Sequence, residues 1–198
     1  MDVPVSGIRA VEIGTPAEQD AVSAAVESLR DDGVVILRQG VRQPLLGELR
    51  AIVSDWHGQF IDGQIQNYSL GEETATIIPD LWQDAFTEPR ELQGFRKWNI
   101  AGLDSRILPL VDASPLYDIM HAFVGPDLLI TKTQMLVVPS GCLDSPFLHT
   151  DAGAMADIVE SMAASPLMVS AQIFLSDLPE PGMGNFTCVP GSHQQRFP

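Results

Sequence analysis

The sequence predicts an α+β domain in which N-terminal helices brace one side of an antiparallel sandwich or barrel. Three observations carry this expectation. Apolar residues recur at helical spacing in three segments before about residue 126, and from Asp127 onward the texture changes to short β-like runs. The 16 glycines and 15 prolines supply the many turns that such runs need. A chain of 198 residues fits one core, so a single domain over residues 1–198 is expected, helical and lid-like over about 1–126 and strand-rich over about 127–198.

The first helix is predicted over residues 15–30, with Thr15 as N-cap, Pro16 at the first helical position and Glu18 completing a capping box. Val22, Val26 and Leu29 form its apolar stripe, and Asp32-Gly33 stops it before the buried strand VVILR. Leu45, Leu46, Leu49, Ile52, Val53 and Trp56 mark a second helix that is expected to end at His57, before Gly58. Residues 59–98 have weak periodicity and contain Pro79, Pro89, Trp82, Phe86, Phe95 and Trp98, which reads as a packed, partly helical covering loop. A third helix is predicted over Ser114–Val124, ended by Gly125-Pro126. The strand candidates then follow as LLITKTQMLVV, PFLHT, PLMVSAQIFL and NFTCV, with a helical or mobile insertion at 152–165.

Composition excludes several functions. Hydrophobic residues at 45% against 19% charged supply a core and argue against disorder. A formal charge of −15, with no cluster of Lys and Arg, repels phosphate backbones and anionic membrane surfaces, so neither nucleic acid nor membrane is an expected partner. The N-terminus lacks the pattern of a secretory signal and no run reaches 18 apolar residues, which points to the cytoplasm. Cys142 and Cys188 lack zinc or redox spacing and read as free thiols. The expected partner is a small-molecule substrate, and nothing in the sequence sets an oligomeric state.

His149-Thr150-Asp151 is the motif that can carry chemistry. On a strand, residues i and i+2 project from one face, so the imidazole and the carboxylate could share one metal ion, as in the 2-His-1-carboxylate triad of non-haem Fe(II) enzymes. The triplet by itself also reads as an edge-strand histidine followed by an aspartate that caps residues 152–163.

The context adds a resemblance. The segment SAQIFLSDLPEPGMGNFTCVPGSHQ resembles a signature of the phytanoyl-CoA dioxygenase family, which includes the ectoine hydroxylases. Its elements are Leu175, Asp177, Pro179, Gly184 and the run Pro190-Gly191-Ser192-His193. Upstream, VVPSGCLDSPFLHTD looks like the family's proline-glycine turn before its HxD strand, and DGVVILRQGV looks like its N-terminal strand. The likeness spans about residues 20–198. It implies a double-stranded β-helix, a jelly-roll barrel with iron in its mouth. It also implies Fe(II) bound by His149 and Asp151, 2-oxoglutarate as co-substrate and O2 as oxidant, with decarboxylation to succinate coupled to hydroxylation of an unactivated C–H bond.

The sequence departs from that pattern at one place. The family's distal iron-binding His and the following Arg for 2-oxoglutarate lie on a later strand, and neither is present before Pro198. By the resemblance His193 is a structural landmark and Arg196 is too close to it to serve, so the chain is expected to be an N-terminal portion of such an enzyme. Gln134, on a strand face with Lys132 and Leu136, is a candidate to reach co-substrate or substrate. Ser170, sharing a face with Gln172, matches a family position near 2-oxoglutarate. The alternatives are a catalytically inactive jelly-roll binding or interaction module, and a different enzyme on a cupin-like barrel using His57, His121 or His193. Four aromatics and few cations over residues 59–98 favour a bulky or apolar small molecule over a polyanion.

Overall fold

A computed structural model describes residues 8–13, 18–65, 89–112, 115–140 and 168–194. In chain order its elements are strand β1 (Ala10–Glu12), helix α1 (Glu18–Asp32), strand β2 (Ile36–Arg38), helix α2 (Gln43–Ile61), strand β3 (Phe95–Trp98), the short helices α3 (Ile100–Leu103) and α4 (Leu108–Val111), helix α5 (Leu116–Val124) and strand β4 (Gln134–Val137). Single 3-10 turns occur at Arg90–Leu92, Ser105–Ile107 and Ser192–Gln194. The class is α+β. Among the described residues the sheets are two-stranded and no barrel closes. The chain divides into two compact units. One comprises Met1–Arg42, Asp112–Leu129 and Leu148–Pro198, the other Gln43–Val111 and Ile130–Phe147.

The first unit is built on the stripe that the sequence predicts for α1. Val22, Ala25, Val26 and Leu29 are buried against Ile119 of α5, with Val11, Val35, Leu37, Phe123 and Val169 packed around them. At the helix end Gly33 adopts φ +76° and its N–H donates to the Leu29 carbonyl at 3.1 Å, a left-handed cap. The fully buried Ser28 hydroxyl donates to the Val34 carbonyl at 2.9 Å and so ties the last turn of α1 to the chain leading into β2. The strand predicted as VVILR is shorter than expected, and its partner is β1, which the sequence reading did not identify. They pair in parallel, Ala10 opposite Ile36 and Glu12 opposite Arg38, with α1 as the crossover. The capping box falls at residues 14–17, outside the described residues, with the side chain of Glu18.

The second unit corrects two expectations. Helix α2 does not stop at His57 but runs through Gly58 to Ile61, burying Leu49, Ile52 and Phe60. A side chain at Gly58 would meet nothing, so the helix passes through an open position and gains the burial of Phe60 beyond it. Within the expected loop 59–98, residues Phe95–Trp98 form β3, which pairs antiparallel with β4: Phe95 opposite Val137, Trp98 opposite Gln134. The Phe60 and Phe95 rings stack at 4.7 Å between centroids.

The predicted strands are realised only in part. Of LLITKTQMLVV, residues Gln134–Val137 are in a ladder. The described parts of PLMVSAQIFL and NFTCV, residues 168–175 and 185–189, are irregular chain outside any described sheet. Strand propensity alone does not make a ladder, which needs a paired neighbour. PFLHT and the insertion at 152–165 lie outside the described residues, as do the 66–88 part of the expected loop and Ser114 of the third helix. Among the described residues no single helix is long and apolar enough to cross a membrane.

Candidate functional site

His149 and Asp151, the predicted iron ligands, lie outside the described residues, as does Cys142. Gln134 opens β4 in the second unit, exposed and directly across from Trp98. Ser170 belongs to the first unit, on an exposed position of the irregular segment whose Val169 packs against the α1 core. The two candidate co-substrate residues therefore fall in different units.

The β3–β4 pair presents two chemically distinct faces, because alternate residues point to opposite sides. On the buried face are Phe95, Lys97 and Met135. The Lys97 ammonium sits 5.0 Å above the ring of Trp56, and burial holds it below the ordinary lysine value of 10.5. Next to this, His57 of α2 stacks at 6.4 Å on Phe60 and lies 6.1 Å from Phe95. Its Nε2 is buried without a hydrogen-bond partner, and burial pushes the imidazole below 6.5. Arg90 closes the stack, its guanidinium 5.1 Å from the Phe60 ring centre and donating to the Phe60 carbonyl at 2.7 Å.

The other face is open. Lys132 places its ammonium 4.3 Å over the Trp98 ring at one side of a groove of about 570 Å³, whose lining includes Asn99, Leu108, Val111 and Ile130. Asn99 turns the chain out of β3 with φ +53°, an uncommon conformation for a residue with a side chain. Its amide lies so close to Gly102 that a Cβ there would stand 2.7 Å from Asn99 Nδ2, so a larger residue at 102 would require the amide to move. The groove offers one ammonium, one amide, threonine hydroxyls and apolar walls, a set suited to binding. The sequence signal for this surface was the alternation Phe-Arg-Lys-Trp, which mixes an aromatic and a cation on each face and so hides the strand.

The histidines of the described residues have three different settings. His193 belongs to the run Pro190-Gly191-Ser192-His193, which forms a tight turn with Gly191 at φ +80°. Its Nε2 donates to the Arg30 carbonyl at 3.0 Å, and the Gly191 N–H donates to the Asp32 carbonyl at 2.8 Å. The turn thereby clasps the C-terminal end of α1, where Gln194 Nε2 also donates to the Arg30 and Asp31 carbonyls. His121 is exposed on α5 and stacks on Tyr117 at 5.8 Å, and His57 is in the aromatic stack. Among the described residues no group of three or more His, Cys, Asp or Glu side chains is placed to hold a metal ion. Cys188 is a free, half-buried thiol whose pKa is raised by burial. No family model, curated protein or solved structure matches this chain.

Proposed function

We propose that the chain is part of an Fe(II)- and 2-oxoglutarate-dependent dioxygenase of the phytanoyl-CoA dioxygenase type, acting in the cytoplasm on a small molecule. The observation that carries the reading is the triplet His149-Thr150-Asp151 in its ordered context, between a proline-glycine turn and the Leu175 to His193 signature. His149 and Asp151 would hold the iron through one imidazole nitrogen and one carboxylate, on a strand of a double-stranded β-helix. Bound iron with 2-oxoglutarate and O2 supplies the oxidising power for hydroxylating an unactivated C–H bond. Gln134 and Ser170 are the polar groups assigned to co-substrate or substrate.

Two features of the fold support this. The Pro-Gly-Ser-His run is a tight turn whose histidine is engaged by backbone, in keeping with a landmark role and not with ligation. Gln134 sits on an exposed strand position, available to a ligand. The reading requires a third protein ligand besides His149 and Asp151, and a cation for the far carboxylate of 2-oxoglutarate.

The test uses the native protein from its source, whose intact mass is first compared with the 21.5 kDa of these residues. His149→Ala and Asp151→Ala are expected to abolish succinate formation and Fe(II) binding while the far-UV circular dichroism stays that of the parent. Full turnover in either variant refutes the assignment. Ligand binding that is indifferent to chelators and to 2-oxoglutarate would transfer the chain to the class of non-catalytic binding modules.

A further inference from the structure

The aromatic stack of the second unit contains a titratable group that the proposed chemistry does not use. His57 lies beside the stacked pair of Phe60, of its own helix, and Phe95 of β3, with a buried Nε2 that has no hydrogen-bond partner. A neutral imidazole suits that place as a flat, weakly polar ring. An imidazolium does not, because it would bring a charge, and an N–H at Nε2 that has no acceptor, to a partly buried place against two phenyl rings.

Two cations flank the stack. Arg90, from the turn before β3, holds its guanidinium against Phe60, and Lys97 of β3 lies over Trp56, one residue from His57 in the chain. Arg96 belongs to the opposite face of β3. The acids of α2, Glu48 and Asp55, are exposed, and both act on Arg106 of the turn at Ser105–Ile107, which is itself paired with Asp104 at 2.6 Å. Glu91, in the turn that carries Arg90, and Asp62, just after α2, are exposed as well, so the charged groups seated on rings of this cluster are the cations Arg90 and Lys97.

We propose that His57 is an acid-operated latch of the second unit, its neutral ring closing α2 against β3 and its protonation releasing the pair. The direction follows from burial, which lowers the folded-state value below the ordinary 6.5. The contribution of His57 is fully present above 6.5 and is lost as pH falls through 6.5 toward the lower folded-state value, because the opened state takes up the proton first. The device is independent of the iron assignment and acts on the element that carries Gln134 through its partner strand.

The composition provides a selective probe. The segments of the second unit include Trp56 and Trp98, whereas those of the first contain no tryptophan. Urea unfolding of the whole chain is followed by tryptophan fluorescence at about pH 7.5 and about pH 5.5, a range in which histidine is the side chain expected to titrate. The wild-type midpoint is expected to shift to lower urea at the acid value, and His57→Phe is expected to abolish that shift. An unchanged wild-type midpoint, or a full shift retained in His57→Phe, overturns the proposal. Should the variant fail to fold, the wild-type His57 ring resonance, assigned through the backbone, decides it: titration below 6.5 supports the latch, and titration at or above 6.5 overturns it.

Discussion

Gly33 and His193 show how single residues hold the first unit together. Gly33 must take a positive φ to end α1, and the His193 ring packs directly over its Cα, so an added methyl group meets both backbone strain and the imidazole. Gly33→Ala is expected to destabilise the first unit by more than about 1 kcal/mol, read as faster amide exchange throughout α1. Exchange in α1 equal to the parent would show that the cap does not depend on glycine. His193→Ala removes one hydrogen bond to the Arg30 carbonyl, an expected loss of about 0.5–1.5 kcal/mol, and under the proposed iron assignment it leaves Fe(II) affinity unchanged. A fall in metal affinity would instead make His193 a ligand and remove the reason for reading the turn as structural.

At the scale of elements, what was legible followed from local periodicity and punctuation. The α1 stripe, the stop at Gly33 and the end of α5 at Gly125 are all written in a few adjacent residues, and the fold uses each of them. Helix α2 outran its expected end because the gain from burying Phe60, to 2% exposure, exceeds the cost of about 1 kcal/mol for an interior glycine. Strand β1 has three residues, too few for any pattern, and exists through its pairing with β2. Strand β3 was hidden by Arg96 and Lys97, whose types say nothing of which one is buried. The candidate site is read from a motif, His149 to Asp151, that lies outside the described residues, and the two polar residues expected beside it, Gln134 and Ser170, fall in different units because their spacing along the chain says nothing of their placement. The stack of Phe60 on Phe95 is the contact on which α2 and β3 depend most directly. Phe95→Ala is expected to cost about 3–5 kcal/mol in the urea unfolding of the second unit followed by tryptophan fluorescence. A loss under about 1 kcal/mol would mean that the cavity collapses and that the stack is dispensable.

For the molecule as a whole, two properties oppose each other. The formal charge of −15 keeps copies apart, yet Phe174, Met183, Phe186 and Val189, all between residues 168 and 194, are each about half exposed, and Leu129 and Ile130 are exposed as well. Which property governs depends on the range of the repulsion. The Debye length is about 30 Å at 0.01 M salt and about 8 Å at 0.15 M, so charges spread over the surface act between copies in the first condition and are largely screened in the second. Contact between apolar side chains is short-ranged and is not screened in this way. The isolated 198-residue chain is therefore expected to be monodisperse at low salt and to self-associate as salt rises, with the mass distribution followed by analytical ultracentrifugation. Acidification toward the sequence pI of about 4.3 should have the same effect at constant low salt, because it removes the charge instead of screening it. A mass distribution that ignores both salt and pH would show that the exposed apolar residues do not drive association, and the repulsion would then have nothing to oppose.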